Sequence, residues 1–395
     1  MSGVIENYIT ERKKHFTIHD WMENVCPTCG STYFSKSDVK NCGSYSCNQG
    51  YTFFTIGSRR TFFDLDEIRK YAQDFFHKFG YEFSSPIDIV RTNERTLFAS
   101  AAGQIFDDAI QRKQNPGKLK AFSSQPVIRL QGEALIGSVE GYSTSFVNLA
   151  TDKWNPTVSE HFVSLDNWLD FLSERGIFAG NLSLKTKSEE NDWGVGNVHS
   201  ETVRFNYRGL ELGIANLFSD IPFESEKAIM SDISFGLERL VWGINKTESY
   251  FDAIGPLIYV LQDRNCIPLL DSIRTMALMS GMGVTPAHFD QGGKFRILAK
   301  KAVSYYGFAP YEELSKYYHN QWAKFISLKI DSNNSANIMR NEIERNVNVK
   351  LAKKFKFKTV SSDNPSEYLH SLVKQGKIKI STLHKKSLSV NGDMK

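Results

Sequence analysis

Residues 231–253 read SDISFGLERLVWGINKTESYFDA, and this stretch decides the fold. From Ala228 the pattern is that of a β-strand, and it runs without a loop into a helix that continues to Asn245. The segment SFGLERLVWGI places its apolar residues along one helical face. Immediately upstream, Val203 to Phe218 reads as a pair of strands. Paired strands followed by a strand that delivers the chain into a helix read as an α+β arrangement.

Working outward, DLDEIRKYAQDFFHKFGY (64–81) spaces Ile68, Tyr71, Phe75, Phe76 and Phe79 as one helical face, with Asp64 or Asp66 as N-cap and Gly80 as the stop. EFSSPIDIV (82–90) puts Pro86 at a strand entrance or edge, and RTLFASAAGQIFDD (95–108) reads as a short strand followed by a small-residue turn. AFSSQPVIRL (121–130) and GYSTSFVNLA (141–150) are β-like, and SLDNWLDFLSERGI (164–177) is a helix ending near Gly176. From Gly255 onward the helical pattern dominates, with neither repeats nor low-complexity segments. The expected division is an N-terminal element over 1–60, an α+β domain over 61–250 and a mainly helical domain over 251–395.

The 395 residues are 41% hydrophobic and 23% charged, enough for a sizeable core in two or three domains. No stretch approaches the roughly 18 apolar residues that span a bilayer, and the N-terminus lacks the apolar middle of a signal peptide, so a cytoplasmic protein without membrane association is expected. The net charge of +4 is mild, but its distribution is uneven. Lys350, Lys353, Lys354, Lys356, Lys358, Lys374, Lys377, Lys379, Lys385, Lys386 and Lys395 face only Asp363, Glu367 and Asp393. Such a tail is either a solvated segment or a contact surface for RNA or phosphate.

Four of the five cysteines form two close pairs, Cys26-x2-Cys29 and Cys42-x4-Cys47. Two such pairs supply four thiolates to one tetrahedral Zn²⁺, and Gly30 and Gly43 allow the tight turns. Without histidine, carboxylate or an open position, the site reads as structural rather than catalytic. Cys266 stands apart as a small buried hydrophobe.

Taken in order, these segments resemble the alanyl-tRNA synthetases, which carry a class II synthetase catalytic domain, and the resemblance implies an antiparallel sheet flanked by helices. The resemblance covers most of residues 60 to 310. It runs from Glu67 to Asp108, through SSQPVIRL and GYSTSFVNL, then DWGVGNVHSETVRFNYRGLEL (192–212), and is most specific at Gly236-Leu237-Glu238-Arg239, which matches the third class II motif. Asp232 falls where that family places an aspartate. The cysteine pairs are similar to a zinc element of archaeal-type members.

What the resemblance implies is an enzyme, a ligase that activates a small amino acid, alanine or a relative, with ATP and Mg²⁺ as an adenylate for transfer to tRNA or another acceptor. Arg239 and Arg129 would then meet phosphates, since guanidinium geometry suits them, and Glu211 would hold Mg²⁺. Asp232 and, more weakly, Asn216 would line the amino-acid pocket. GGKFRILAKKAVSYYG (292–307) is similar to the helix that opens the tRNA-recognition region, so Lys294, Arg296, Lys300 and Lys301 would face an acceptor stem.

Three departures bear on activity. Gly141 and Tyr142 stand where the second class II motif has arginine and histidine; that arginine stabilises charge on the α-phosphate. Arg204 stands where the family has a glutamate, and is a candidate replacement cation; Glu201 would restore the glutamate after a small shift. The resemblance also reaches no editing domain. The alternatives are therefore a non-catalytic paralogue that binds aminoacyl-tRNA, or a ligase that joins an amino acid to a small-molecule amine. The choice of amino acid, the acceptor and the oligomeric state stay open at the level of sequence.

Overall fold

Asp64 accepts a hydrogen bond from the Glu67 amide while the Glu67 carboxylate accepts from the Asp64 amide, each at 2.8 Å, and this reciprocal cap starts the helix α2 (Leu65–His77) where the sequence placed it. In this computed structural model the described residues are 3–55, 62–91, 96–112, 116, 119–193, 196–223, 226–255, 266–305, 310–355, 371–372 and 374–377. Ile68, Phe75 and Phe76 of α2 are buried, whereas Phe79, beyond the helix end, is 39% exposed. Most of the basic C-terminal run lies outside the described residues.

The chain divides into two compact units, one of Met1–Asp88, Ala99–Val127 and Phe146–Pro256, the other of Ile89–Phe98, Ile128–Ser145 and Leu257–Lys395. The first is built on a nine-stranded sheet. Its strands are β1 (Met22–Val25), β2 (Thr32–Ser35), β3 (Glu82–Ser84), β4 (Lys120–Ile128), β5 (Ser145–Trp154), β6 (Leu182–Asp192), β7 (Asn197–Tyr207), β8 (Leu210–Phe223) and β9 (Glu226–Gly236). They lie in the order β1-β2-β6-β7-β8-β9-β5-β4-β3. Pairing is antiparallel from β2 through β6, β7, β8 and β9 to β5, and β3 joins β4 in parallel at the edge. The expectation of an α+β fold with an antiparallel sheet flanked by helices is met.

Side chains alternate between the two faces of such a sheet, and the helices decide which face is covered. Trp168 of α4 (Val158–Glu174) stacks on Phe235 at 4.2 Å between ring centroids and donates its indole N–H to Thr151 Oγ1 at 2.7 Å. Phe76 of α2 packs on the same Trp168, and Tyr8 of α1 (Gly3–Ile18) stacks on Phe162 of α4. Thr151, Ser231 and Phe235 thus point to the helices, and Asp152, Asp232 and Ser234 to the other face. Part of that other face is closed by Phe106 and Ile110, which pack on Trp154, Val198, Ala228 and Met230.

Residues 95–108 hold no strand among the described residues. An isolated bridge, Val90 to Phe98, is followed by a 3₁₀ turn at Ala102–Phe106 and the short helix α3 (Asp107–Arg112). The Gln104 side-chain Oε1 accepts from the amides of Ser100 at 2.6 Å and Ala101 at 3.1 Å, and Asn148 Oδ1 accepts from Ala102, so side chains replace the ladder that a strand would need. After β9, α5 (Leu237–Asn245) follows directly, as its sequence required.

The second unit is mainly helical: α6 (Ile267–Gly281), α7 (Asp290–Tyr305), α8 (Tyr311–Trp322) and α9 (Ser332–Phe355). Arg274 is buried in it, 4.1 Å over the ring of Trp322, and Asp271 accepts from the amide and hydroxyl of Thr144. Cys266 is buried, as expected of a small hydrophobe. No helix among the described residues is long and apolar enough to cross a membrane.

His161, fully buried on α4, hydrogen-bonds Ser231 through Nδ1 at 2.7 Å, and burial, with Lys153 and His15 nearby, pushes its pKa down to about 3. The folded state therefore keeps the imidazole neutral where the unfolded chain protonates it. Below the ordinary value of 6.5 the unfolded state binds the extra proton, so stability falls with pH down to about 3. The contribution is up to about 1.4 kcal/mol per pH unit, and denaturant titrations of His161→Gln across that window are expected to show a shallower pH slope than the unsubstituted chain.

Candidate functional site

On the face turned away from α4, four polar residues occupy one register level across four strands. Thr202 of β7 is opposite Asn216 of β8, Asn216 is opposite Asp232 of β9, and Asp232 is opposite Asp152 of β5. All four are buried, and the Thr202 hydroxyl donates to Asn216 Oδ1 at 2.8 Å. Two of them, Asp232 and Asn216, were anticipated from the sequence; Thr202 and Asp152 were not. Asp152 is fully buried, and burial together with the neighbouring Asp232 charge holds its carboxyl well above the ordinary carboxylate range.

The site residues anticipated on β7, β8 and α5 meet beside this row. Arg204 Nη1 lies 3.0 Å from Glu211 Oε2, and Arg239 Nη1 donates to the Glu211 carbonyl at 3.3 Å. A bulge between Phe205 and Asn206 shifts the β7–β8 register and brings the Glu211 side chain onto the face of Arg204. Arg239 sits in the first turn of α5, whose Glu238 is buried with its carboxylate accepting from the Val147 amide. One guanidinium pairs with the half-exposed Glu211 carboxylate and a second meets the backbone carbonyl of the same residue, an arrangement able to hold phosphate oxygens and a Mg²⁺ attached to them.

Glu201 does not restore the missing family glutamate. β7 pairs regularly from His199 to Phe205, so Glu201, three residues before Arg204, lies on the opposite face. There it is buried and takes hydrogen bonds from Arg12 of α1, Ser188 and His199.

Arg129 follows β4 in the second unit, exposed, with its amide donating to the Thr144 carbonyl at 2.8 Å. Gly141, in the same unit, has φ +83°, a conformation that L side chains rarely adopt, so an arginine at this position would be strained. Of the cations on α7, Arg296 lies 3.8 Å from Glu342 and Lys301 3.3 Å from Glu133, so at least these two are engaged within the fold. Lys300 is exposed and Lys294 half-buried.

The four cysteines converge. Their sulfurs all lie within 4.8 Å of one another, and Cys29 Sγ is 3.8 Å from Cys42 Sγ. A tetrahedron with Zn–S bonds of about 2.3 Å has edges of about 3.8 Å, so the donor set fits Zn²⁺ with no open position. The Ser31 hydroxyl draws Cys29 down to about 6, whereas burial pushes Cys42 up to about 12. Gly30 and Gly43 turn with φ of +70°. The element is tied into the sheet: β2 pairs with β6, and Asn206 of β7 donates to the Cys42 carbonyl at 2.8 Å. A second group, His15, His19 and Asp166, also lies within 4.8 Å, but His15 there bonds Asp166 directly and stacks on Phe162.

With this geometry in place, comparison with known proteins gives a consistent result. The chain is similar to alanine–tRNA ligases. It is 29% identical over 252 residues to the enzyme of Thermoplasma acidophilum, covering 58% of this chain and 28% of that one. Identity is 25% over 330 residues to that of Metallosphaera sedula, covering 77% and 35%. For Thermococcus kodakarensis it is 24% over 332 residues, covering 76% and 35%. The chain thus spans about a third of the length of these relatives. No protein-family model matches. Among solved structures, a pyrrolysyl-tRNA synthetase from Desulfitobacterium hafniense aligns with a TM-score of 0.33 at 13% identity, over 48% of this chain and 73% of that one.

The zinc fit is open to a direct check. Purified protein is expected to hold one zinc ion by elemental analysis, and Cys42→Ser to lose it together with several degrees of thermal stability. Full zinc retention in that variant would contradict the four-thiolate site.

Proposed function

We propose that this chain is a ligase that activates a small amino acid with ATP, forming an aminoacyl-adenylate for transfer to tRNA or another acceptor. The observation that carries the reading is the adjacency, on one sheet face, of a buried carboxylate row and the Arg204–Glu211 pair, with Arg239 of α5 at the Glu211 carbonyl. The similarity to alanine–tRNA ligases supports a ligase-like enzyme of this kind.

Asp232 would take the amino-acid ammonium, with Asn216 beside it. The amino-acid carboxylate would then attack the α-phosphorus of ATP; a bond from its oxygen to phosphorus forms as the bond to pyrophosphate breaks. Arg239 and Arg204 would hold the charge that builds on the phosphate oxygens, the work that water does poorly in a low-dielectric site. Mg²⁺ accepts one or two carboxylates plus substrate oxygens, so Glu211 fits as its protein ligand; the ion would supply charge neutralisation on the phosphates. Lys294 and Lys300 of α7 would offer electrostatic, salt-sensitive contacts to an acceptor RNA.

A second reading has support in Gly141. Its left-handed backbone is unsuited to the arginine that the second class II motif would place there, which favours a paralogue that binds aminoacyl-tRNA without activating the amino acid. Amino-acid-dependent exchange of pyrophosphate into ATP separates the two. Exchange is expected with the zinc-loaded protein, and Arg239→Ala is expected to lower it by about 10²–10³-fold, the usual loss when one donor to a developing anion is removed. Absence of exchange with any amino acid, tRNA included, would leave the second reading.

A further inference from the structure

The polar row on the sheet ends in a carboxylate that binding a monoamino acid does not require. Asp152 has no exposed surface, and neither of its carboxylate oxygens has a hydrogen-bond partner among the described residues. The lysine next to it in sequence offers no compensation: Lys153 points to the other face, where its Nζ donates to the Glu160 carbonyl at 2.9 Å. A buried carboxylate with neither a cation nor a donor is far more costly than a partnered one, and such a group calls for an explanation.

The roof over the pair is glycine. A Cβ placed on Gly103 would lie 3.4 Å from Asp232 Oδ2 and 3.7 Å from Asp152 Oδ1. Both carboxylates therefore come within 4 Å of one point, which the absent side chain leaves open. Met230 Cε is 3.5 Å from the same point and bounds the space with an apolar wall.

We propose that Asp152 and Asp232 form a diammonium pocket, and that the substrate is a small amino acid with a second amine on its β- or γ-carbon. The inference rests on reading this face as the amino-acid pocket. The α-ammonium pairs with Asp232 and the side-chain ammonium with Asp152, so both carboxylates are neutralised by the ligand. Amines one or two carbons apart fit carboxylates that approach a common point. The amine of lysine, on its four-carbon stem, is too remote.

The test is calorimetric titration of the zinc-loaded full chain with L-2,4-diaminobutyrate, L-2,3-diaminopropionate, L-alanine and L-lysine, at a pH where both amines are charged, with pyrophosphate exchange run on the same panel. A short diamino acid is expected to bind at least about tenfold more tightly than alanine or lysine, and Asp152→Asn to bring that ratio close to one. Gly103→Ala fills the shared point with contacts no closer than van der Waals distance, so it is expected to fold and to weaken the diamino acid at least about tenfold. Affinity equal to that of alanine, or a preference that neither variant moves, overturns the pocket and leaves a carboxylate that shares a proton with Asp232. Asp152-dependent binding without exchange keeps the pocket and removes activation. Exchange with alanine alone keeps activation and removes the pocket.

Discussion

The candidate site depends on one constraint, the antiparallel register that carries β7, β8, β9 and β5 past one another without slippage at the level of Asp232. A shift of one residue in any of these strands would turn its member of the Thr202–Asn216–Asp232–Asp152 row toward α4, into a layer filled by Trp168, Phe162 and Phe76. The aromatic packing behind the sheet therefore fixes the polar face in front of it. The bulge in the β7–β8 ladder, between Phe205 and Asn206, falls where Glu211 must reach Arg204. Regular pairing and its one interruption in the β7–β8 ladder beside the site serve the same arrangement.

Two other features hold that register. The continuous passage of β9 into α5 fixes Arg239 within one turn of the strand that bears Asp232, and the buried Glu238 ties the helix start to β5 through the Val147 amide. At the other side of the sheet the cysteine element adds β1 and β2 as an extension beyond β6 rather than standing apart. A zinc ion there, held in part by Cys26 and Cys29 between β1 and β2, would staple that hairpin together.

Much of this was legible in the sequence, and the reasons are local. The capping box at Asp64, the passage from strand to helix at Gly236 and the Cys26–Cys29, Cys42–Cys47 spacing each encode their geometry within a few residues. So do Asp232 and Arg239, which lie close together on one strand–helix unit. What escaped depends on register between distant segments. Asp152 carries no mark in SFVNLATDKW; it becomes a site residue only when β5 is laid against β9. Glu201 looked a small shift away from a family glutamate, yet pleating places it on the opposite face from Arg204. The helix Gly3–Ile18 has no apolar stripe to announce it, and its place is set by Tyr8 and Phe16 against the aromatic layer. Of the short strand expected before the small-residue turn only an isolated bridge at Phe98 forms among the described residues, whereas the turn itself is present at Ala102–Phe106, its hydrogen bonds supplied by the side chains of Gln104 and Asn148.

The account's central claim is that this sheet face binds an amino acid joined to an adenylate. A crystal structure with a non-hydrolysable aminoacyl-sulfamoyl adenosine tests it most directly, because such mimics of the bound intermediate draw on the interactions that activation would use. The predicted result places the amino group at Asp232, beside Asp152, and the sulfamoyl group between Arg204 and Arg239. An analogue that fails to bind, or that binds with its amino group away from Asp232, would contradict the account.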